Sequence, residues 1–66
     1  MIYKKGAIVY QIKDNEIKQH TVDEFKFLTW IQLLKIDGEW KDASLFYPTI
    51  EDAEDAQDRL SRGMRP

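Results

Sequence analysis

The chain has no cysteine, one histidine, two prolines and three glycines in its 66 residues. Without cysteine there is no disulfide to staple the fold, no thiol nucleophile and no thiolate zinc site. The single histidine, His20, excludes sites that need two or three imidazoles. No apolar run approaches the roughly 18 residues of a membrane span, and nothing reads as a signal peptide. A formal charge of -2 lacks the strong positive field of a general nucleic-acid binder. These absences point to a soluble protein of a reducing cytoplasm, with no membrane partner.

What is present is enough for one small domain over residues 1–66. Apolar residues make up 42% of the chain, which is too rich for a disordered sequence. A domain this short buries only about 60% of its unfolded surface, so it depends on one compact core or on a second copy. A homodimer is therefore one expectation.

Residues 7–22 predict a β-hairpin. Ile8, Tyr10 and Ile12 alternate with Val9, Gln11 and Lys13, the period of a strand. Asp14 and Asn15 tolerate the positive φ of a tight turn. A two-residue loop there pairs Ile12 with Ile17, Tyr10 with Gln19 and Ile8 with Thr21. The return strand, 17–22, is polar, with Lys18 and His20 facing water.

Residues 25–36 admit two readings. As a helix, Thr21 caps, Glu24 completes a capping box, and Phe27, Leu28, Ile31 and Leu34 form a stripe before Gly38. As a strand, the Phe, Thr, Trp and Ile content fits, and Asp37 and Gly38 turn the chain into a partner strand from Glu39 to about Ser44. The strand reading is preferred, because Trp30, Leu33 and Ile36 fall outside the helical stripe and would need cover on nearly every side. The last element is a helix. Thr49 caps it behind Pro48, Asp52 is at its third position, and Ile50, Ala53, Ala56 or Gln57, Leu60 and Met64 recur on one face up to Gly63. The expected fold is α+β: two hairpins forming a small four-stranded antiparallel sheet, with the C-terminal helix on one face. The alternative is β-β-α-β-α.

For function, the helix carries five acids in the eight residues 51–58. Acids near a helix start and Arg59 and Arg62 near its end suit the macrodipole, and Asp55 and Asp58 stand four residues before the arginines. A solvated helix accounts for that pattern. A docking face for a basic protein surface is the functional alternative. Calcium-loop spacing is missing, so no metal is expected. Trp30 is expected in the core. Trp40 either packs on Leu34 across the second hairpin or stands exposed as an interface anchor. Lys4, Lys5, Lys13 and Lys18 on the first hairpin form a weak basic patch, which also serves to guard an edge strand. His20, Ser44 and Ser61 have no orienting partners in sequence, and no glycine-rich phosphate loop exists. Neither catalysis nor a cofactor is expected. The block from Trp40 to Leu60 resembles in cadence many small bacterial and phage proteins, and hairpin and capping rules account for it.

The sequence therefore predicts a non-enzymatic protein-binding module, a small inhibitor or adaptor of a larger cytoplasmic complex such as phages encode. Its partner-binding residues are Glu51, Glu54, Asp55, Asp58 and Trp40. A nucleic-acid-associated protein using the lysine-rich hairpin is the alternative.

Overall fold

A computed structural model describes residues 2–62. Strand β1 (Ile8–Lys13) pairs antiparallel with β2 (Glu16–Thr21) in the register expected, with Ile12 opposite Ile17 and Tyr10 opposite Gln19. The turn at Asp14 and Asn15 has φ of 53° and 62°, both positive, as a type I′ turn requires. Val22 and Asp23 then carry the chain into a second antiparallel sheet of three strands, β3 (Glu24–Leu28), β4 (Ile31–Ile36) and β5 (Glu39–Asp42). Asp37 and Gly38 form the turn between β4 and β5, with φ of 52° and 83°. A 3₁₀ turn at Ala43–Leu45 follows, capped by the Asp42 carboxylate, which accepts from the Ser44 N–H at 2.9 Å. The chain ends in α1 (Ile50–Ser61).

The structure is thus α+β, but it has five strands in two sheets rather than four strands in one. Residues 25–36 are extended, which overturns the helical alternative. They are also split by a turn at Thr29 and Trp30. Thr29 sits at φ 61°, a conformation that a β-branched residue rarely adopts. The positive angle at the first loop residue alone matches a type II′ turn, where glycine is usual. Without a glycine or asparagine there, local chemistry gives no turn signal.

Strand alternation sorts the molecule into layers. Val9, Leu34 and Ile36 are buried together with Tyr3, Val22, Ala43 and Phe46, so one face of the first hairpin lies on the three-stranded sheet. The other face carries Tyr10, Ile12 and Ile17 and receives α1, which packs against β1 and β2. Tyr47 extends the first sheet by a single bridge: the backbones of Tyr10 and Tyr47 exchange hydrogen bonds of 2.9 and 2.7 Å. His20 is half-buried rather than facing water, with its ring edge-on to Phe46 at 6.0 Å.

The helix starts as expected. The Thr49 hydroxyl accepts from the Asp52 N–H at 3.1 Å, filling one of the orphan donors of the first turn. Its buried face is narrower than the sequence implied. Ala53 and Ala56 are buried, which lets the helix sit close on the hairpin, and Gln57 donates to the Asn15 carbonyl at 2.7 Å. Leu60, expected in the core, is 61% exposed, and Ile50 is exposed as well. Gly63 and Met64 lie outside the described residues. No helix among the described residues is long and apolar enough to cross a membrane.

Candidate functional site

The tip of the β3–β4 hairpin bears the largest exposed aromatic. Trp30, expected in the core, is 88% exposed. It stands beside Phe27 and Ile31, which the hairpin brings next to it, and beside Ile2 of the N-terminal segment. All of these are exposed. Together with Tyr3, Gln32, Ala43, Ser44, Phe46 and Pro48 they line an open groove of about 750 Å³.

The floor of the groove is fixed by Gln32, the one buried polar residue among those described. Its side-chain amide accepts from the Tyr3 N–H at 3.0 Å and donates to the Tyr3 carbonyl at 2.7 Å. A glutamine amide has the donor and acceptor of a peptide unit, so it pairs with the N-terminal segment as a strand residue would. The Tyr3 hydroxyl donates to the Phe46 carbonyl at 3.3 Å. Burial raises the Tyr3 pKa above its ordinary value, and the negative charge of Asp52 adds to that effect. Asp52 in the first turn of α1 thereby acts on the same neighbourhood as the groove, whose wall includes Pro48 just before the helix. Asp42 is the only charged residue in the lining.

The residues singled out from sequence lie elsewhere. Glu51, Glu54, Asp55 and Asp58 are all exposed on α1. Asp55 pairs with Arg59 at 3.3 Å and Asp58 with Arg62 at 3.1 Å, as their spacing predicts. Among the described residues Glu51, Asp52 and Glu54 form no ion pair, so the unbalanced charge concentrates at the helix start. Trp40 does not pack on Leu34. Its cross-strand neighbour is Lys35, which puts it on the sheet face turned away from the first hairpin. There it is 42% exposed, with Lys26 Nζ 4.3 Å and Lys35 Nζ 5.9 Å from the ring centre. Because α1 covers the far side of that hairpin, Trp40 and the acidic helix face occupy different surfaces.

The lysines of the first hairpin are partly balanced. Lys18 Nζ is 2.9 Å from Glu16 and Lys5 Nζ is 3.4 Å from Glu24. The hydrogen bond between Lys18 and Glu16 holds the carboxyl below its ordinary range and the ammonium above its own. Lys13, Lys18, His20 and Lys41 border a second cleft of about 380 Å³ that Asp37 and Glu39 also line, so its lysine charge is largely offset. No set of three or more potential metal ligands occurs among the described residues.

Sequence reasoning missed the groove because it assigned Trp30 to the core. One signal was available: a strand over residues 25–36 would have twice the usual length, which favours a turn within it. Comparison of the chain with protein-family models, with curated proteins and with solved structures gave no match.

Proposed function

We propose that this chain is a non-enzymatic protein-binding module, an inhibitor or adaptor of a larger cytoplasmic complex. In this reading the groove at the β3–β4 tip receives an apolar side chain of the partner. The observation that carries the proposal is the cluster of exposed Ile2, Phe27, Trp30 and Ile31 around that groove. Contiguous exposed apolar surface of this kind marks interaction sites, and tryptophan is the residue most enriched among interface anchors. Thr29 beside Trp30 sits at φ 61°, and strain of this kind collects at functional positions.

The partner's chemistry follows from the charge nearby. Asp42 borders the groove, and beyond its lining the start of α1, two residues after the Pro48 wall, carries Glu51, Asp52 and Glu54, which form no ion pair among the described residues. A segment with an aromatic or aliphatic anchor flanked by lysine or arginine fits this surface. Rim charges steer encounter, while the anchor controls dissociation. The lysine-hairpin alternative draws less support, because Lys5 and Lys18 each have an acidic partner.

Selection from a displayed random-peptide library tests the proposal. Enriched peptides combining an apolar anchor with basic flanks, and weakened by Trp30→Ala, support it. Reversing Glu51 and Glu54 to lysine should slow their association and flatten its salt dependence. No enrichment, or peptides indifferent to Trp30→Ala, overturns the proposal.

A further inference from the structure

Strand β3 is one edge of the three-stranded sheet, β5 being the other, and all five residues of β3 are exposed, whereas Lys41 and Asp42 of β5 are half-buried. Its pairing with β4 closes at Leu28 opposite Ile31 across the two-residue loop. The closing pair of such a hairpin exchanges both backbone hydrogen bonds. Leu28, Lys26 and Glu24 therefore turn their N–H and C=O groups to β4, and Phe25 and Phe27 turn theirs to the open side. The same rule applied to β1 leaves Tyr10 facing away from β2, where Tyr10 indeed bonds to Tyr47. No other backbone bond among the described residues reaches Phe25 or Phe27.

An exposed edge of this kind is a template for another strand. The Phe25 and Phe27 rings meet edge-on at 5.9 Å on one face of β3, and Leu28 is exposed on the other. We infer that the occupant is a second copy of this chain, joined through antiparallel β3–β3 pairing with a two-fold axis at Phe27. This goes beyond the binding reading above and does not depend on it.

The register is chosen by comparing three centres on this edge. An axis at Lys26 sets two lysines directly opposite, which is destabilising. An axis at Phe25 brings Phe27 of the second copy against Asp23. That stretch of edge is flanked by the turn at Lys5 and Gly6, where Gly6 N–H bonds to Val22 at 2.8 Å and Lys5 pairs with Glu24. An axis at Phe27 avoids both faults. It sets Phe27 opposite its own copy, Lys26 opposite Leu28 and Phe25 opposite Thr29. The phenylalanines of both copies then cluster on one face, and the exposed Leu28 of each copy lies on the other. Such an interface is isologous and closes at two copies. Phe27 borders both this interface and the groove, whereas Ile2, Ile31 and Ser44 of the groove take no part in the pairing.

Sedimentation equilibrium of the purified protein, without any peptide, tests the inference. The wild type should approach twice its 7.8 kDa mass as concentration rises. Phe27→Pro removes a donor from the open side only, so it should leave the β3–β4 ladder and the circular dichroism intact. It should weaken association at least about tenfold, since the two-fold axis doubles the loss. Leu28→Lys places like charges opposite one another and should do the same should the proline variant fail to fold. In a mixed-label sample, inter-chain Hα contacts should join Lys26 to Leu28. A monomer at every concentration, association unaffected by both variants, or a β3 edge that pairs only with a foreign strand overturns the dimer. Peptide binding by a strictly monomeric protein would overturn the dimer and leave the proposed function standing.

Discussion

Gln32 holds Tyr3 by both of its backbone polar groups, accepting from its N–H and donating to its carbonyl across 29 positions of sequence. No buried side-chain N or O among the described residues lacks a partner, so this pair is fully satisfied. Replacing Gln32 with leucine removes both bonds and leaves the Tyr3 backbone groups without their partner. A loss of about 2–3 kcal/mol should follow. Hydrogen exchange at the Tyr3 amide should accelerate in that variant. An unchanged Tyr3 exchange rate would show that the N-terminal segment is held by something else.

The Tyr3 hydroxyl gives a pH dependence of defined sign. Its pKa is raised in the folded state, by burial first and by Asp52 second. A raised pKa means that the native state favours the neutral phenol. The associated stability is complete below the unfolded value of about 10 and is lost as pH rises through the folded value. Wild type should therefore lose stability above about pH 10 more steeply than Tyr3→Phe. Parallel curves for the two proteins in urea melts across that range would contradict the assignment.

Two leucines separate core from surface. Leu34 is fully buried between the sheets, whereas Leu60 is largely exposed. Leu34→Ala should cost about 2–5 kcal/mol and Leu60→Ala less than about 0.5. Equal losses in thermal melts would mean that α1 is rotated relative to the placement described.

Thr29 carries strain that glycine would relieve. A β-branched residue at φ 61° costs roughly 1–3 kcal/mol, while glycine adds up to about 1 kcal/mol of unfolded-state entropy. Thr29→Gly should raise stability by about 1 kcal/mol. A lower melting temperature would show that the threonine makes a contact worth more than its strain.

How much of this was legible in the sequence depended on whether local chemistry or tertiary contacts set each feature. The first hairpin was, because Asp14 and Asn15 tolerate positive φ and the apolar alternation fixed the register. The start of α1 was, because Thr49 and Asp52 obey a local hydrogen-bonding rule, and the Asp–Arg pairs follow helical spacing. The turn at Thr29 and Trp30 was hidden, since its conformation opposes the residue that adopts it. Trp30 read as core because hydrophobicity alone does not distinguish a buried tryptophan from one displayed at a hairpin tip. Leu60 misled for the reverse reason: its helical spacing was right, but the face of α1 turned to the hairpin carries Ala53, Ala56 and Gln57, and Leu60 lies off it. The groove joins Ile2, Phe27 and Pro48, which only the folded chain brings together.

The measurement closest to the central claim is the fluorescence of Trp30 as a library-selected peptide is added to the Trp40→Phe variant, which leaves a single indole. Trp30 is free to meet solvent in the unbound protein. If the groove is the binding surface, the peptide should shift its emission to the blue and protect it from acrylamide quenching, with saturation matching the binding curve. A peptide that binds with emission and quenching of Trp30 unchanged would place the binding surface elsewhere on the molecule and contradict the account.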